Sequence, residues 1–228
     1  MTTQASAEAS SSTITARLVQ VSKLFGTFAA LRQVSVDFEP GNCYVLVGEN
    51  GAGKSTLLRI LAGLLRPSFG KVKVFGGLEP HEARERIGYM SHAPMLYDEL
   101  TAQENLRYFA SLYPGRECLA PDDALRQVGL DPDLQRKFGQ YSQGMRQRTS
   151  LARVLLAQPE LLLLDEPFSN MDVESVSQMV QLLAGFRRHN RTTVLTTHQR
   201  ESAAPIADWV LALHAGRVAS LDPGSPTQ

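Results

Sequence analysis

The chain has 228 residues, 43% of them hydrophobic, and sets 23 Lys+Arg against 23 Asp+Glu for a formal net charge of +0. Such a chain has ample core for one domain or two small subdomains, and it lacks the basic excess expected of a protein that holds a nucleic-acid backbone. Cys43 and Cys118 show neither metal-ligand spacing nor a disulfide framework, which fits a reduced, cytosolic setting, and no apolar run approaches the roughly 20 residues that span a bilayer.

Met1 to Thr13 are rich in Ser, Thr and Ala without a basic start and apolar stretch, so they read as a disordered tail rather than a signal peptide. Ile14 to Val21 reads as a first strand, with Leu18 and Val21 in the core. Val34 to Phe38 alternates apolar and polar residues, the pattern of a strand with one buried face. After the Pro40-Gly41 turn, Cys43 to Val47 is a short apolar run between glycines, a buried strand. A helix follows from Lys54 towards Leu65, where Pro67 and Gly70 stop it. Val72 to Phe75 is another strand, Glu79 to Arg86 a short polar helix or loop, and Ile87 to Met90 a short strand.

Between Ser91 and Gln158 the texture turns helical, over Ala102 to Leu112, Pro121 to Val128 and Gln143 to Ala157. Beyond Pro159, Leu161 to Leu164 is a buried strand and Val173 to His189 a long amphipathic helix. Thr192 to Thr197 is a β-branched strand, and Trp209 to Leu213 and Arg217 to Ala219 complete the sheet. Asp222 to Gln228 reads as a loose tail. Strands alternating with helices imply an α/β fold with a mainly parallel sheet. The expected organisation is one domain over residues 14–221, with a helical insert at about 91–158.

The stretch Gly48-Glu49-Asn50-Gly51-Ala52-Gly53-Lys54-Ser55-Thr56 has the P-loop pattern Gly-x4-Gly-Lys-Ser in its required context of strand, Gly-rich turn and helix. Its glycines let the backbone turn tightly and approach a ligand. Successive N–H groups then form an anion-binding concavity, which the positive end of the helix reinforces. Lys54 supplies a point charge for terminal phosphates, and Ser55 a hydroxyl for Mg2+. The bland alternative, a structural turn before a helix, loses ground to a second motif. Leu161 to Leu164 runs into Asp165-Glu166-Pro167, and ligands gather at the carboxyl ends of parallel strands. Asp165 is placed to hold Mg2+ and Glu166 to orient or deprotonate an attacking water.

With Tyr141-Ser142-Gln143-Gly144-Met145 and His198 added, the chain from roughly Leu18 to Ala219 resembles the ATP-binding cassette of ABC transporters. Against that family's signature, Leu-Ser-Gly-Gly-Gln, Ser142 and Gly144 match while Gln143 and Met145 depart. The resemblance implies a P-loop NTPase (RecA-like) core, an antiparallel β subdomain at the N-terminal side and an inserted helical subdomain. It implies ATP and Mg2+ as cofactors, with residues 48–56 cradling the nucleotide. Ser142 and Gly144 would contact the γ-phosphate held by a second cassette, so a dimer is implied, a homodimer by expectation; Ser142 is equally a helix N-cap. Asp172, in Ser169-Asn170-Met171-Asp172, would communicate across that dimer or cap the following helix. His198 would contact the γ-phosphate, and Phe25 would either stack on adenine or pack in the core.

One position departs from the family. In the frame His92-Ala93-Pro94 before Leu100-Thr101-Ala102-Gln103-Glu104-Asn105-Leu106, His92 stands where the resemblance expects a glutamine. The resemblance also implies an integral-membrane permease as partner, docked near Met95, Leu96, Tyr97 and Tyr108, with the chain peripheral on the cytoplasmic face of the cell membrane and without a nucleic-acid partner. The Ser-His-x-Pro loop and the Thr-Thr-His-Gln stretch look like an exporter ATPase of the haem or cytochrome c biogenesis type, and they also suit small exporters of lipids, drugs or polysaccharides. The alternative is a soluble ABC ATPase acting on DNA or the ribosome, though such proteins usually carry two cassettes or a long coiled-coil arm.

Overall fold

A computed structural model describes residues 14–224 apart from 114, 116, 188 and 189. Two sheets organise it. β1 (Ala16–Phe25), β2 (Phe28–Phe38) and β4 (Phe69–Val74) form an antiparallel three-stranded sheet in the order β2-β1-β4. The second sheet has six strands in the order β5-β6-β7-β3-β8-β9. They are β3 (Cys43–Val47), β5 (Ile87–Met90), β6 (Leu161–Asp165), β7 (Thr192–Thr196), β8 (Trp209–His214) and β9 (Arg217–Pro223). Neighbours run parallel from β5 to β8, and β9 closes the edge antiparallel to β8.

The alternation of side chains sorts the core into two layers. Tyr44, Leu46, Leu161, Leu163, Val194 and Leu211 point to one face, where α1 (Lys54–Leu61) and the three-stranded sheet cover them. Cys43, Val45, Leu162, Leu164, Leu195 and Val210 point to the other, beneath the helical insert and α5 (Val173–Arg187). Burial on both faces explains why these strands read as continuous apolar runs. The insert holds α2 (Ala102–Ser111), α3 (Pro121–Gln127) and α4 (Gln143–Leu155); α6 (Arg200–Ala203) follows β7. Local chemistry starts these helices: Thr101 and Glu104 form a capping box, Pro121 opens α3, and Ser142 caps α4.

Among the boundaries that depart from the sequence reading, four have a clear local reason. β1 continues past Val21 because a bulge intervenes: Gln20 has φ 52° and the register shifts between Leu18 and Val21. A second left-handed residue, Gln33 at φ 51°, interrupts β2 and hides its first half from an alternation search. α1 stops at Leu61 rather than near Leu65, because Gly63 turns left-handed (φ 71°) and the amides of Gly63, Leu64 and Leu65 return to the carbonyls of Ile60 and Arg59. Asp222 and Pro223 belong to β9, not to a loose tail: Trp209 pairs with Pro223, and the Gly224 amide donates to Asp208 O at 2.7 Å. Residues 1–13 and 225–228 and the end of the expected helix at His189 lie outside the described residues.

Candidate functional site

β3 delivers the chain to the P-loop and α1 carries it away. Two of the loop's glycines are dictated by both conformation and space. A Cβ on Gly53 (φ 103°) would lie 2.5 Å from Ala30 O, and one on Gly48 (φ 148°) 2.3 Å from Leu213 O. Gly51 (φ 82°) faces open space, so only its dihedral requires glycine. Gly53 is also the N-cap of α1 and offers no side-chain cap. The first amides of that helix are therefore not spoken for by a capping side chain, the arrangement that accepts an anion. Lys54 is buried, and its ammonium donates to Gly48 O at 2.7 Å and Glu49 O at 3.1 Å.

β6 brings Asp165 into the interior, 3% exposed. Its Oδ1 accepts two hydroxyls, Ser55 Oγ at 2.9 Å and Thr196 Oγ1 at 2.8 Å. The same Thr196 oxygen accepts the backbone N–H of Glu166 at 2.9 Å. Glu166 itself sits at φ 55°, a left-handed conformation that non-glycine residues adopt at a cost of order 1–3 kcal/mol and that clusters at functional sites. Its Oε2 accepts the His198 amide at 3.2 Å. The His198 Nε2 lies 3.3 Å from Oε1, but without hydrogen-bond alignment, so Oε1 is a buried oxygen with no hydrogen-bond partner. An orphaned carboxylate oxygen at the end of a parallel strand is a ready proton acceptor. The adjoining Ser55 hydroxyl and Asp165 carboxylate form a hard, all-oxygen donor set that fits Mg2+. A loop of N–H groups and a lysine beside them fits a polyphosphate.

These groups share one cleft of about 340 Å³. Asn50, Gly51, Gly53, Lys54, Ser55 and Thr56 line it, as do Phe25, His92, Asp165, Glu166 and His198. Gly48 and Glu49 turn their carbonyls to Lys54, and Ala52 is buried with its amide on Glu49 O. Phe25 is 49% exposed and belongs to the cleft rather than the core, with the Lys23 ammonium 5.2 Å from its ring centre. His92 is exposed at the mouth of the loop after β5.

Besides Gly48, Glu49 and Ala52 of the loop itself, three expected residues from elsewhere in the chain are not among the lining. Ser142 Oγ accepts the Met145 amide at 3.2 Å as cap of α4. Gly144 is where α4 meets α5, since a Cβ there would lie 2.5 Å from Ser175 Oγ. Asp172 accepts both the amide and the hydroxyl of Ser175 at 2.9 Å, bonds that hold its carboxyl below the ordinary aspartate range. Sequence reasoning missed Phe28 and Ala30 in the lining and Thr196 beneath both acids. Phe28 was signalled by the hairpin Phe25-Gly26-Thr27-Phe28, with Gly26 at φ 59°. Nothing in Thr192 to Thr197 singles out Thr196.

Residues 31–169 match the family model described as ABC transporter. The ABC transporter ATP-binding protein NatA of Bacillus subtilis (strain 168) is 36% identical over 196 residues, which cover 83% of this chain and 80% of that one. A fluoroquinolones export ATP-binding protein of Mycobacterium tuberculosis (strain CDC 1551 / Oshkosh) is 39% identical over 203 residues, 87% of this chain and 66% of its own length. In three dimensions the chain is similar to a dimeric ATP-binding cassette in a post-hydrolysis state bound to ADP and Pi, with a TM-score of 0.81 and 26% identity over 93% of this chain and all of the other. The α/β core of a P-loop NTPase, the cleft built on its P-loop and these matches converge: the chain belongs to the ABC transporter family and is one of its ATP-hydrolysing cassettes.

Proposed function

We propose that this cassette powers a separate membrane permease of exporter type, and that two cassettes close around two nucleotides to do so. One observation carries the reading: the cleft gathers the P-loop, Asp165, Glu166, His92 and His198 but leaves Ser142, Gly144 and Asp172 outside. One chain thus supplies the residues that grip and hydrolyse a nucleotide, and a second copy supplies Ser142 and Gly144. Residues 48–56 cradle the phosphates, and Lys54 exchanges its loop carbonyls for phosphate oxygens. Phe25 stacks on the base. Ser55 and Asp165 hold Mg2+, which supplies charge neutralisation on the phosphate oxygens. Glu166 takes the proton of the attacking water on Oε1, the buried oxygen without a hydrogen-bond partner. His198, beside that carboxylate, positions the γ-phosphate, and His92 faces it from the loop after β5. Asp172 ties the start of α5 to the partner.

No helix among the described residues is long and apolar enough to cross a membrane, so membrane attachment in this reading is peripheral, on the cytoplasmic face, through the permease. Its docking surface is on the insert, where Met95 is 66%, Tyr97 48% and Tyr108 43% exposed. Leu96 packs against the core beneath them. Export is favoured by relatives named for fluoroquinolones export and Nod factor export, 39% and 36% identical, although one named for sulfate/thiosulfate import is also 36% identical. A role in haem export or cytochrome c biogenesis is the narrower form of the proposal, and it rests on Ser91-His92-Ala93-Pro94 and Thr196-Thr197-His198-Gln199 alone. Glu166→Gln protein mixed with ATP and Mg2+ should elute from a sizing column as a dimer. A monomer at saturating ATP would count against the two-cassette reading.

A further inference from the structure

Tyr89, next to last in β5, lies beside the acid proposed to hold the metal without being any part of the P-loop or acid motifs. β5 runs parallel to β6 and pairs Tyr89 with Leu163, so the ring leans towards the end of β6 where Asp165 stands. The Tyr89 hydroxyl lies 3.4 Å from Asp165 Oδ2. Asp165 Oδ1 is already taken by Ser55 and Thr196; Tyr89 is the donor that the described residues offer to Oδ2. The Arg59 guanidinium, from α1, interacts with the same hydroxyl. A guanidinium only donates, so its charge favours the phenol oxygen and leaves the phenol's single proton for the carboxylate. The Tyr89 carbonyl is engaged as well: it accepts Arg153 Nη2 at 3.4 Å from α4, the helix that Ser142 begins.

We infer that Tyr89 is a positioning residue for Asp165, fixing the carboxylate's rotation through Oδ2 so that Oδ1 and the Ser55 hydroxyl face a Mg2+ ion together. The inference rests on the nucleotide site proposed above. Two oxygens on one carboxylate are held from two sides, Thr196 and Ser55 on one and Tyr89 on the other, and Arg59 keeps the phenol proton aimed. The backbone of the same residue ties this arrangement to the helix that carries Ser142, so the metal site and the partner-facing helix share β5 as a common support.

The test uses calorimetric titration of ATP into the full chain carrying Glu166→Gln, at stepped free Mg2+, with and without Tyr89→Phe. The phenylalanine keeps the ring and removes only the donor. Losing so long a hydrogen bond, 3.4 Å between oxygens, should raise the free Mg2+ needed for half of the affinity gain by about threefold to tenfold, with ATP affinity in EDTA unchanged. Arg59→Met, which frees the phenol proton to turn away, should shift the same midpoint in the same direction by less. An unmoved or lowered Mg2+ midpoint in Tyr89→Phe overturns the inference, as does an equal loss of ATP affinity with and without Mg2+, which a merely structural role would give. If the Glu166→Gln parent binds no ATP, or binds it without regard to Mg2+, the nucleotide-site reading falls and this inference with it.

Discussion

Thr196→Val removes one hydroxyl and changes almost nothing else. The side chain is fully buried in β7 and valine has nearly its shape. The hydroxyl, however, donates to Asp165 Oδ1 and accepts from Glu166 N. A hydrogen bond to a charged group contributes about 1.5–3 kcal/mol, and an orphaned buried N–H costs about 1–3 kcal/mol. Asp165 keeps its Ser55 donor, so the lower half of those ranges applies, about 2.5–4 kcal/mol together. At about 2–4 °C per kcal/mol for a domain of this size, the melting temperature should fall by about 5–16 °C. Glu166 also loses the bond that holds its left-handed backbone, and kcat should drop about tenfold or more as the carboxylate drifts. Thr193→Val, three residues earlier in β7, is the control: Thr193 is buried and its hydroxyl has no hydrogen-bond partner. That substitution should be neutral or stabilise by up to about 1 kcal/mol. Thermal melts and steady-state hydrolysis of both variants, with Thr196→Ser as rescue, decide the matter. Equal melting temperatures for the two valine variants would refute the assignment of Thr196 as the support of both acids.

The P-loop glycines should separate in the same way. Gly51→Ala carries only a dihedral penalty of about 1–2 kcal/mol, whereas Gly53→Ala adds a 2.5 Å approach to Ala30 O and should melt several degrees lower and bind ATP more weakly; equal losses would contradict the geometry. His92→Ala, at the cleft mouth, should lower kcat several-fold while ATP affinity stays within about twofold, as read by titration and turnover on one preparation. Equal loss of both would mean that His92 binds nucleotide rather than serving its hydrolysis.

Much of this site was legible because its motifs are local. Residues 48–56 carry their chemistry within nine consecutive positions, and Leu161 to Glu166 announce a buried strand ending in acids. Ser142 and Asp172 were legible as helix caps, and as caps the structure places them. What escaped depends on partners far away in sequence. Thr196 meets Asp165 across 31 positions and Tyr89 meets it across 76, and neither residue type marks a site by itself. The strand ends escaped for a different reason. Gln20 and Gln33 adopt left-handed conformations without the glycine that usually signals them, so period-two alternation fails midway through β1 and β2. β9 is an exposed edge, where Asp222 and Pro223 are tolerated although they read as a tail.

The central claim is that each nucleotide is held by Lys54 of one chain and Ser142 of another. Complementation tests it most directly. Lys54→Ala and Ser142→Arg should each be inactive alone, because each spoils both sites of its own dimer. Mixed in equal amounts, they should recover roughly a quarter of the wild-type hydrolysis rate, since random pairing gives mixed dimers with one intact site. A mixture that forms dimers yet stays as inactive as its components would contradict the shared-site account.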